Sequence, residues 1–418
     1  MPMDLLISPC GQLLTLAGKH VPRKGPTQRE LALIQNGAVL IADHKFKQVG
    51  TVEEVSAGLG GASLIRISAE NRVVLPGFVD SHAHPIFASP RERDYELRIS
   101  GKTYQEIADS GGGILSSVRG VRESSHAHLR ELAKSRLRAF VEHGTTTLEC
   151  KSGYGLDLKN EIKLLEIIRE LQAQVPLDLV PTFLGAHEIP AEYKFKKDDY
   201  VRVVADLMIP EIARRHLAVF CDCFVEDHIF PPSSARRILE SARSHGFKVK
   251  LHADQLRRSG ATLLGIEMDA VSIDHLEQIN AQDFHALACS NVIAALLPGS
   301  VFHLGSHCYP PARSLIDAGV PVALATDFNP GTSPTINMQI VLSIACSQMR
   351  MTPAEAIVAS TLNGAHALGM ADQIGSIEVG KQADLCIMDV ADYRQIPYFF
   401  GMNHCKVTIK KGEIVYQR

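Results

Sequence analysis

Four short segments of this sequence carry side chains that could act together on one ion and one water. The first is Asp80-Ser81-His82-Ala83-His84. Residues i and i+2 of an extended strand point the same way, so both imidazoles can reach one ion. The others are His252-Ala253-Asp254-Gln255, then Asp274-His275, then Thr326-Asp327-Phe328-Asn329-Pro330-Gly331. His82, His84, His252 and Asp327 offer three imidazoles and a carboxylate, a nitrogen/oxygen set for one divalent metal that keeps a position open for water. A bound metal lowers the pKa of its water towards about 7 and polarises a carbonyl. Asp327 can take the water's proton and deliver it to a departing nitrogen. His275, left unligated in a one-metal site, can hydrogen-bond the attacking hydroxide or the developing oxyanion. This is hydrolytic chemistry. A lone HxH is a weak signal. HxH followed in order by His252, His275 and Asp327, each at the end of an apolar run, is a strong one.

These segments need a scaffold that brings strand ends to one face. Eight apolar runs stand out: Val73–Val79, Thr145–Cys150, Leu179–Leu184, Ala218–Val225, Lys248–Leu251, Ala270–Ile273, Val292–Leu297 and Val322–Ala325. Amphipathic stretches such as Lys159–Leu171 and Pro232–Ser244 lie between most of them. Strands alternating with helices over about 300 residues are the α/β pattern of a (β/α)8 TIM-like barrel, whose active site lies at the C-terminal ends of its strands. The runs are too continuous for half-exposed strands, which suits a parallel barrel buried on both faces. The excursion over residues 85–140 is expected to cover the barrel's top.

Both ends of the chain read as short strands. Asp4–Ile7, Leu33–Gln35, Ala38–Ala42 and Gln48–Gly50 come first, with Asn36-Gly37 as a two-residue hairpin turn. Ala383–Met388, Lys406–Lys410 and Ile414–Tyr416 come last, with a turn at Lys411-Gly412. The simplest account is one small β-sandwich domain from residues 1–70 and 371–418, with the barrel of residues 71–370 inserted.

Composition narrows the partners. The 418 residues hold 43 Lys+Arg against 46 Asp+Glu, so the net charge of -3 argues against nucleic acid or an acidic membrane surface. No apolar run approaches the roughly 18 residues of a membrane span, and MPMDLLISPC does not read as a secretory signal. The nine cysteines are scattered without a CxxC pair, which suits reduced thiols and a cytoplasmic protein. A homodimer is the default expectation for an enzyme of this size. Of the 18 histidines, those outside the four segments fall mostly on loops and helix faces, where solvation explains them.

The frame of PGFVDSHAH, LHAD and ATD in a barrel flanked by a terminal β domain resembles the amidohydrolase superfamily. PGFVDSHAHPIFASPRER, GGGI, CKSGYGLD, TFLGAHEIP, LHADQL, SIDHLE, LLPGS and ATDFNPGTSP, in order along nearly the whole chain, look like the imidazolonepropionase family. That resemblance implies hydrolysis of 4-imidazolone-5-propanoate to N-formimidoyl-L-glutamate, the third step of histidine degradation, with one zinc or iron ion. It implies His82, His84, His252 and Asp327 as ligands, and Arg91 as the cation for the substrate's carboxylate tail. Tyr154, His187, Gln255 and Thr332 would meet the substrate, Asn329 and Gly331 the glutamate end of the product, and Tyr104 the propanoate. Deaminases of the superfamily carry HxxE where this chain has HxxQ. Gln255 has no titratable proton, so proton transfer cannot be assigned to it. The alternatives are another ring hydrolase or deaminase of this architecture, whose substrate would leave Arg91 without a carboxylate partner, and a non-catalytic barrel, which would not need all four ligands and His275.

Overall fold

A computed structural model describes residues 4–57, 59, 64–103, 106–107 and 110–418. Eight strands form one parallel sheet in chain order. They are β5 (Phe78–Asp80), β6 (Thr145–Lys151), β7 (Asp178–Ala186), β8 (Phe220–Val225), β9 (Lys248–Ala253), β10 (Ser272–His275), β11 (Ile293–Leu296) and β12 (Val322–Leu324). The amphipathic stretches expected between them are helices Leu158–Leu171 and Pro232–Ser244, the first capped by the Asp157 side chain, which accepts from Asn160 N. The apolar run at each strand is buried on both faces, as a helix-wrapped parallel barrel requires.

The barrel is drawn shut just past the ends of β5 and β12. Asp327 N donates to His82 O at 3.0 Å, His84 N donates to Phe328 O at 2.8 Å, and Ala83 pairs with Phe328 in parallel. The segments bearing three of the four candidate ligands are therefore also the seam of the barrel.

The chain ends build a second sheet. Its strands are β1 (Asp4–Leu14), β2 (Leu33–Ala42), β3 (Lys45–Thr51), β4 (Leu64–Pro76), β13 (Leu385–Met388), β14 (Cys405–Lys410) and β15 (Glu413–Gln417), in the order β15-β14-β13-β4-β1-β2-β3. The two termini meet where β4 pairs antiparallel with β13, Pro76 opposite Leu385. Hydrogen bonding thus joins what was expected as a sandwich into one seven-stranded sheet. Residues from both of its arms, such as Ile7, Phe46, Leu385 and Ile409, share one buried cluster, so the sheet closes on its own core.

Three local expectations need correction. Val73–Val79 is not one strand: Val73–Pro76 end β4, and the barrel strand starts at Phe78. Gly77 separates them because a Cβ there would lie 2.3 Å from the Thr146 side chain. Asn36-Gly37 is not a turn but lies inside a continuous β2. Gly37 is needed because a Cβ would meet Leu13 Cβ at 2.7 Å, and the hairpin turn is Asp43-His44, at φ 52° and 64°. Finally, residues 85–140 are not all cover. Helix Glu92–Ile99 lies at the mouth, but helix His126–Glu142 packs against β6 as the barrel's first wrapping helix.

Candidate active site

Three of the four expected ligands, His82, His84 and Asp327, form one group, and His252 joins His82 in a second with His275 and His84 in a third with His187. His82 Nε2 lies 3.3 Å from His84 Nε2 and 3.5 Å from Asp327 Oδ1, and His84 Nε2 lies 3.7 Å from the same oxygen. The His252 ring centre is 4.4 Å from that of His82. Donors bound at about 2.1 Å to a tetrahedral ion are about 3.4 Å apart, so this spacing suits a metal. His252 Nε2 is buried without a hydrogen-bond partner among the described residues, an orphan that an ion would satisfy. The residues present fit one divalent metal.

Carboxylates behind the imidazoles orient them. Asp274 Oδ2 accepts from His82 Nδ1 at 2.6 Å, which places the ring proton on Nδ1 and leaves the Nε2 lone pair free. Asp222 Oδ2 stands 3.0 Å from His252 Nδ1, where its charge favours a proton on that nitrogen. Both acids are themselves held, Asp274 by Ser272 Oγ, which donates to its Oδ1 at 2.5 Å. Lys151 Nζ donates to Asp222 at 2.6 Å and to Glu149 at 3.0 Å, and Lys250 Nζ donates to Glu149 at 3.0 Å and to Ser81 O at 2.6 Å. The barrel interior below the site is thus a layer of paired charges. Burial would lower the Lys151 pKa, but Asp222, Glu149 and Asp274 more than offset it and keep the ammonium charged. Lys151 is a structural cation, consistent with its place on the second barrel strand.

His275 and Asp327 occupy unusual backbone positions, with φ of 84° and 52° at the ends of β10 and β12. Such left-handed conformations carry strain and cluster at working sites. Burial pushes the Asp327 carboxyl up to about 7, with His275 acting in the opposite direction. Burial would lower the His275 pKa, but Glu277, whose Oε1 is 3.4 Å from its Nδ1, and Asp327 raise it.

Of the expected substrate residues, His187 and Tyr154 pack against the candidate ligand rings. His187 stacks on His84 with ring centres 5.0 Å apart, and its Nδ1 donates to Gly153 O at 3.0 Å. Burial, with His252 beside it, lowers the His187 pKa to about 3, so the ring is neutral. Tyr154 is buried, its ring centre 5.4 Å from His187 and 5.9 Å from His84. Arg91 precedes helix Glu92–Ile99 and lays its guanidinium on Gly331. Asn329 folds the loop it sits in: its Oδ1 accepts from Gly331 N at 2.8 Å and Thr332 N at 2.7 Å, and its Nδ2 donates to Asp327 O at 2.6 Å. Gln255 is half-buried three residues past His252, and its side chain makes no hydrogen bond among the described residues. Tyr104 lies outside the described residues.

Asp222, Glu149, Lys250 and Glu277 were not anticipated from the sequence, and Asp274, named there beside His275, was given no role. A signal for Asp222, Glu149 and Lys250 was present: each is a charged residue inside a barrel strand, where every second side chain faces the axis.

The profile of the amidohydrolase family matches residues 73–415. An imidazolonepropionase of Solibacter usitatus (strain Ellin6076) is 48% identical over 99% of this chain and 99% of its own length. One from Geobacillus thermodenitrificans (strain NG80-2) is 45% identical over 98% of this chain and 97% of its own. Among solved structures, the fold resembles an adenosine deaminase from Xanthomonas campestris with bound zinc (TM-score 0.72, 18% identity, 99% of this chain and 93% of that one). It also resembles the E. coli guanine deaminase (TM-score 0.73, 17% identity, both chains covered in full at 100%). At such identities the structural likeness concerns the fold alone.

Proposed function

The chain belongs to the amidohydrolase family and, within it, to the imidazolonepropionases; from that premise we propose that it hydrolyses the cyclic amide of 4-imidazolone-5-propanoate to N-formimidoyl-L-glutamate, in histidine degradation. The observation that carries this reading is full-length identity of 48% combined with a buried ligand group of His82, His84 and Asp327, beside which His252, grouped with His82 and with His84, has an Nε2 that lacks a partner among the described residues.

A zinc or iron ion held by His82, His84, His252 and Asp327 supplies Lewis acidity and activates water. The rest falls to this chain's side chains. Arg91 binds the propanoate carboxylate with its fork of N–H donors. Tyr154, His187, Gln255 and Thr332 line the ring, and Asn329 and Gly331 shape the loop that meets the glutamate end of the product. Asp327 accepts the proton of the attacking water. The new C–O bond forms at the ring carbonyl, the carbonyl C–N bond breaks, and Asp327 delivers the proton to the departing ring nitrogen. His275, held by Glu277, donates to the developing oxyanion. The carbonyl carbon leaves as a carboxylate and the nitrogen as the formimidoyl end. Gln255 orients the ring through its amide and moves no proton.

The reading includes a homodimer, which sedimentation would check, and a cytoplasmic location in keeping with nine free cysteines. The decisive experiment mixes metal-loaded protein with fresh imidazolone propanoate and follows loss of ring absorbance, with and without chelator. Turnover that chelator abolishes and added metal restores supports the reading; no turnover by the loaded protein refutes it.

A further inference from the structure

The segment joining β6 to helix Leu158–Leu171 carries Tyr154, and its backbone is held in an unusual way. Glu161 is wholly buried in the first turn of that helix. Its carboxylate turns back under the loop and accepts from Gly153 N at 3.0 Å, Gly155 N at 2.8 Å and Leu156 N at 2.8 Å. The backbone acceptors face the other way. Arg122 Nε donates to Gly155 O at 2.8 Å and its Nη2 to Leu156 O at 3.1 Å. Arg122 belongs to helix Ile114–Glu123, in the excursion between the first two barrel strands, and also pairs with Asp157 at 3.1 Å and Glu192 at 2.9 Å.

The glycines fit this clamp. A Cβ on Gly155 would lie 2.6 Å from Glu161 N, and Gly153 has φ +97°, with Leu184 O 2.9 Å from its missing Cβ. The loop thus has little slack, and its Gly153 carbonyl is also what His187 Nδ1 bonds. A carboxylate buried at 0% exposure is costly unless its oxygens are fully bonded, and these are bonded to the single turn Gly153–Leu156.

We infer that Glu161, braced by Arg122, is a positioning residue for substrate binding: it fixes the loop that presents Tyr154 to the ring pocket and gives His187 its acceptor. Neither touches the reacting atoms. This rests on the assignment of Tyr154 to the substrate pocket. An isosteric Glu161→Gln change replaces one acceptor oxygen with an amino group facing backbone N–H donors, so at least one loop amide loses its partner.

The test uses full-length, metal-loaded enzyme and the imidazolone substrate. Glu161→Gln is expected to raise KM about tenfold while kcat stays within about threefold and metal content is unchanged. In a Tyr154→Phe background the same change should cost much less than it does alone, because the group it positions has already been altered. An unchanged KM, or effects that simply multiply in the double variant, overturns the proposal. If Glu161→Gln does not fold, Arg122→Gln, at a partly exposed position, decides by the same two readouts. Should Tyr154→Phe alone leave KM unchanged, the pocket assignment of Tyr154 fails; a raised KM in Tyr154→Phe with none in Glu161→Gln sinks only the positioning role.

Discussion

A methyl group on Gly331 would lie 1.2 Å from Nη2 of Arg91 and 2.3 Å from its Cζ, so the guanidinium rests directly on the bare backbone of residue 331. Gly331 is not among the positive-φ residues, so glycine is required there for space and not for conformation. Arg98, one helix face along from Arg91, donates to the Gly331 carbonyl at 3.5 Å and to His303 O at 3.1 Å, fixing that backbone from above. Gly331→Ala should expel the Arg91 fork without touching the metal ligands. KM for the imidazolone substrate should rise about tenfold or more, equivalent to about 1.4 kcal/mol of binding, while kcat changes far less. Arg91→Ala should follow the same pattern, and a wild-type KM in either variant would remove Arg91 from the carboxylate site.

Asp327 predicts the opposite split. In the proposed function it is at once a donor to the ion and the only carboxylate of the four candidate ligands, so Asp327→Ala would remove a ligand and the proton carrier together. Turnover should fall by about a thousandfold or more, the scale of losing an acid–base group and part of the metal's hold. Substantial kcat in metal-saturated Asp327→Ala would end its role in proton transfer.

Asp222 and Asp274 should act through the imidazoles they orient. Their asparagine variants keep the shape but can present an amide N–H to a ring nitrogen that must itself donate, which favours the wrong tautomer. Metal affinity should fall about 10–100-fold in each, measured by competition with a chromogenic chelator. Wild-type affinity in both would show that the acids serve only the lysine network.

Why were the candidate ligands legible in the sequence while Asp222, Glu149 and Lys250 were not? His82, His84, His252, His275 and Asp327 stand at the ends of apolar runs, where a barrel converges and a polar residue has no packing purpose. Asp222 sits between Cys221 and Cys223 inside such a run. The two buried cysteines share one face of that strand, and Asp222 on the opposite face points down the barrel axis at Lys151 and His252. The barrel itself was readable because eight runs alternate with helices. The terminal sheet was less so, since glycines at 37 and 77 look like turn or strand residues in sequence. They are there because Leu13 and Thr146 leave no room for a Cβ.

Lys151 offers a stability test inside the barrel. Its ammonium lies 2.6 Å from Asp222, 2.9 Å from Glu149 and 3.8 Å from Asp274, all wholly buried. Lys151→Met fits the volume but leaves carboxylates facing one another with Lys250 as their remaining buried cation. Losing one partner of a buried ionic cluster typically costs about 3–5 kcal/mol. The urea midpoint should drop accordingly, and a loss below about 1 kcal/mol would mean that the carboxylates re-pair or take up protons at little cost.

The sheet and the barrel are joined by a second, partly buried ionic cluster that makes a pH prediction. Lys410 Nζ donates to Asp178 at 2.8 Å and to Asp384 at 2.7 Å, and Lys411 and Gln382 also donate to Asp178, each at 2.8 Å. Asp178 opens barrel strand β7, whereas Lys410 and Asp384 belong to the terminal sheet and its approach. Burial would raise the Asp178 pKa, but Lys410, Lys411 and Gln382 outweigh it and hold it at about 2. The folded pKa is therefore depressed below the roughly 3.9 of an unfolded chain. The sign follows: the stabilisation is fully present above about pH 4 and is lost as pH falls from about 4 through about 2. At about 1.4 kcal/mol per unit its size is on the order of 2 kcal/mol. Lys410→Met removes the main cause of the shift, so the variant should be less stable than wild type at pH 7, and the gap should narrow between pH 4 and pH 2. Urea unfolding across that range reads it directly. A gap that stays constant with pH would show that Lys410 stabilises the junction by packing its aliphatic stem and not by charge.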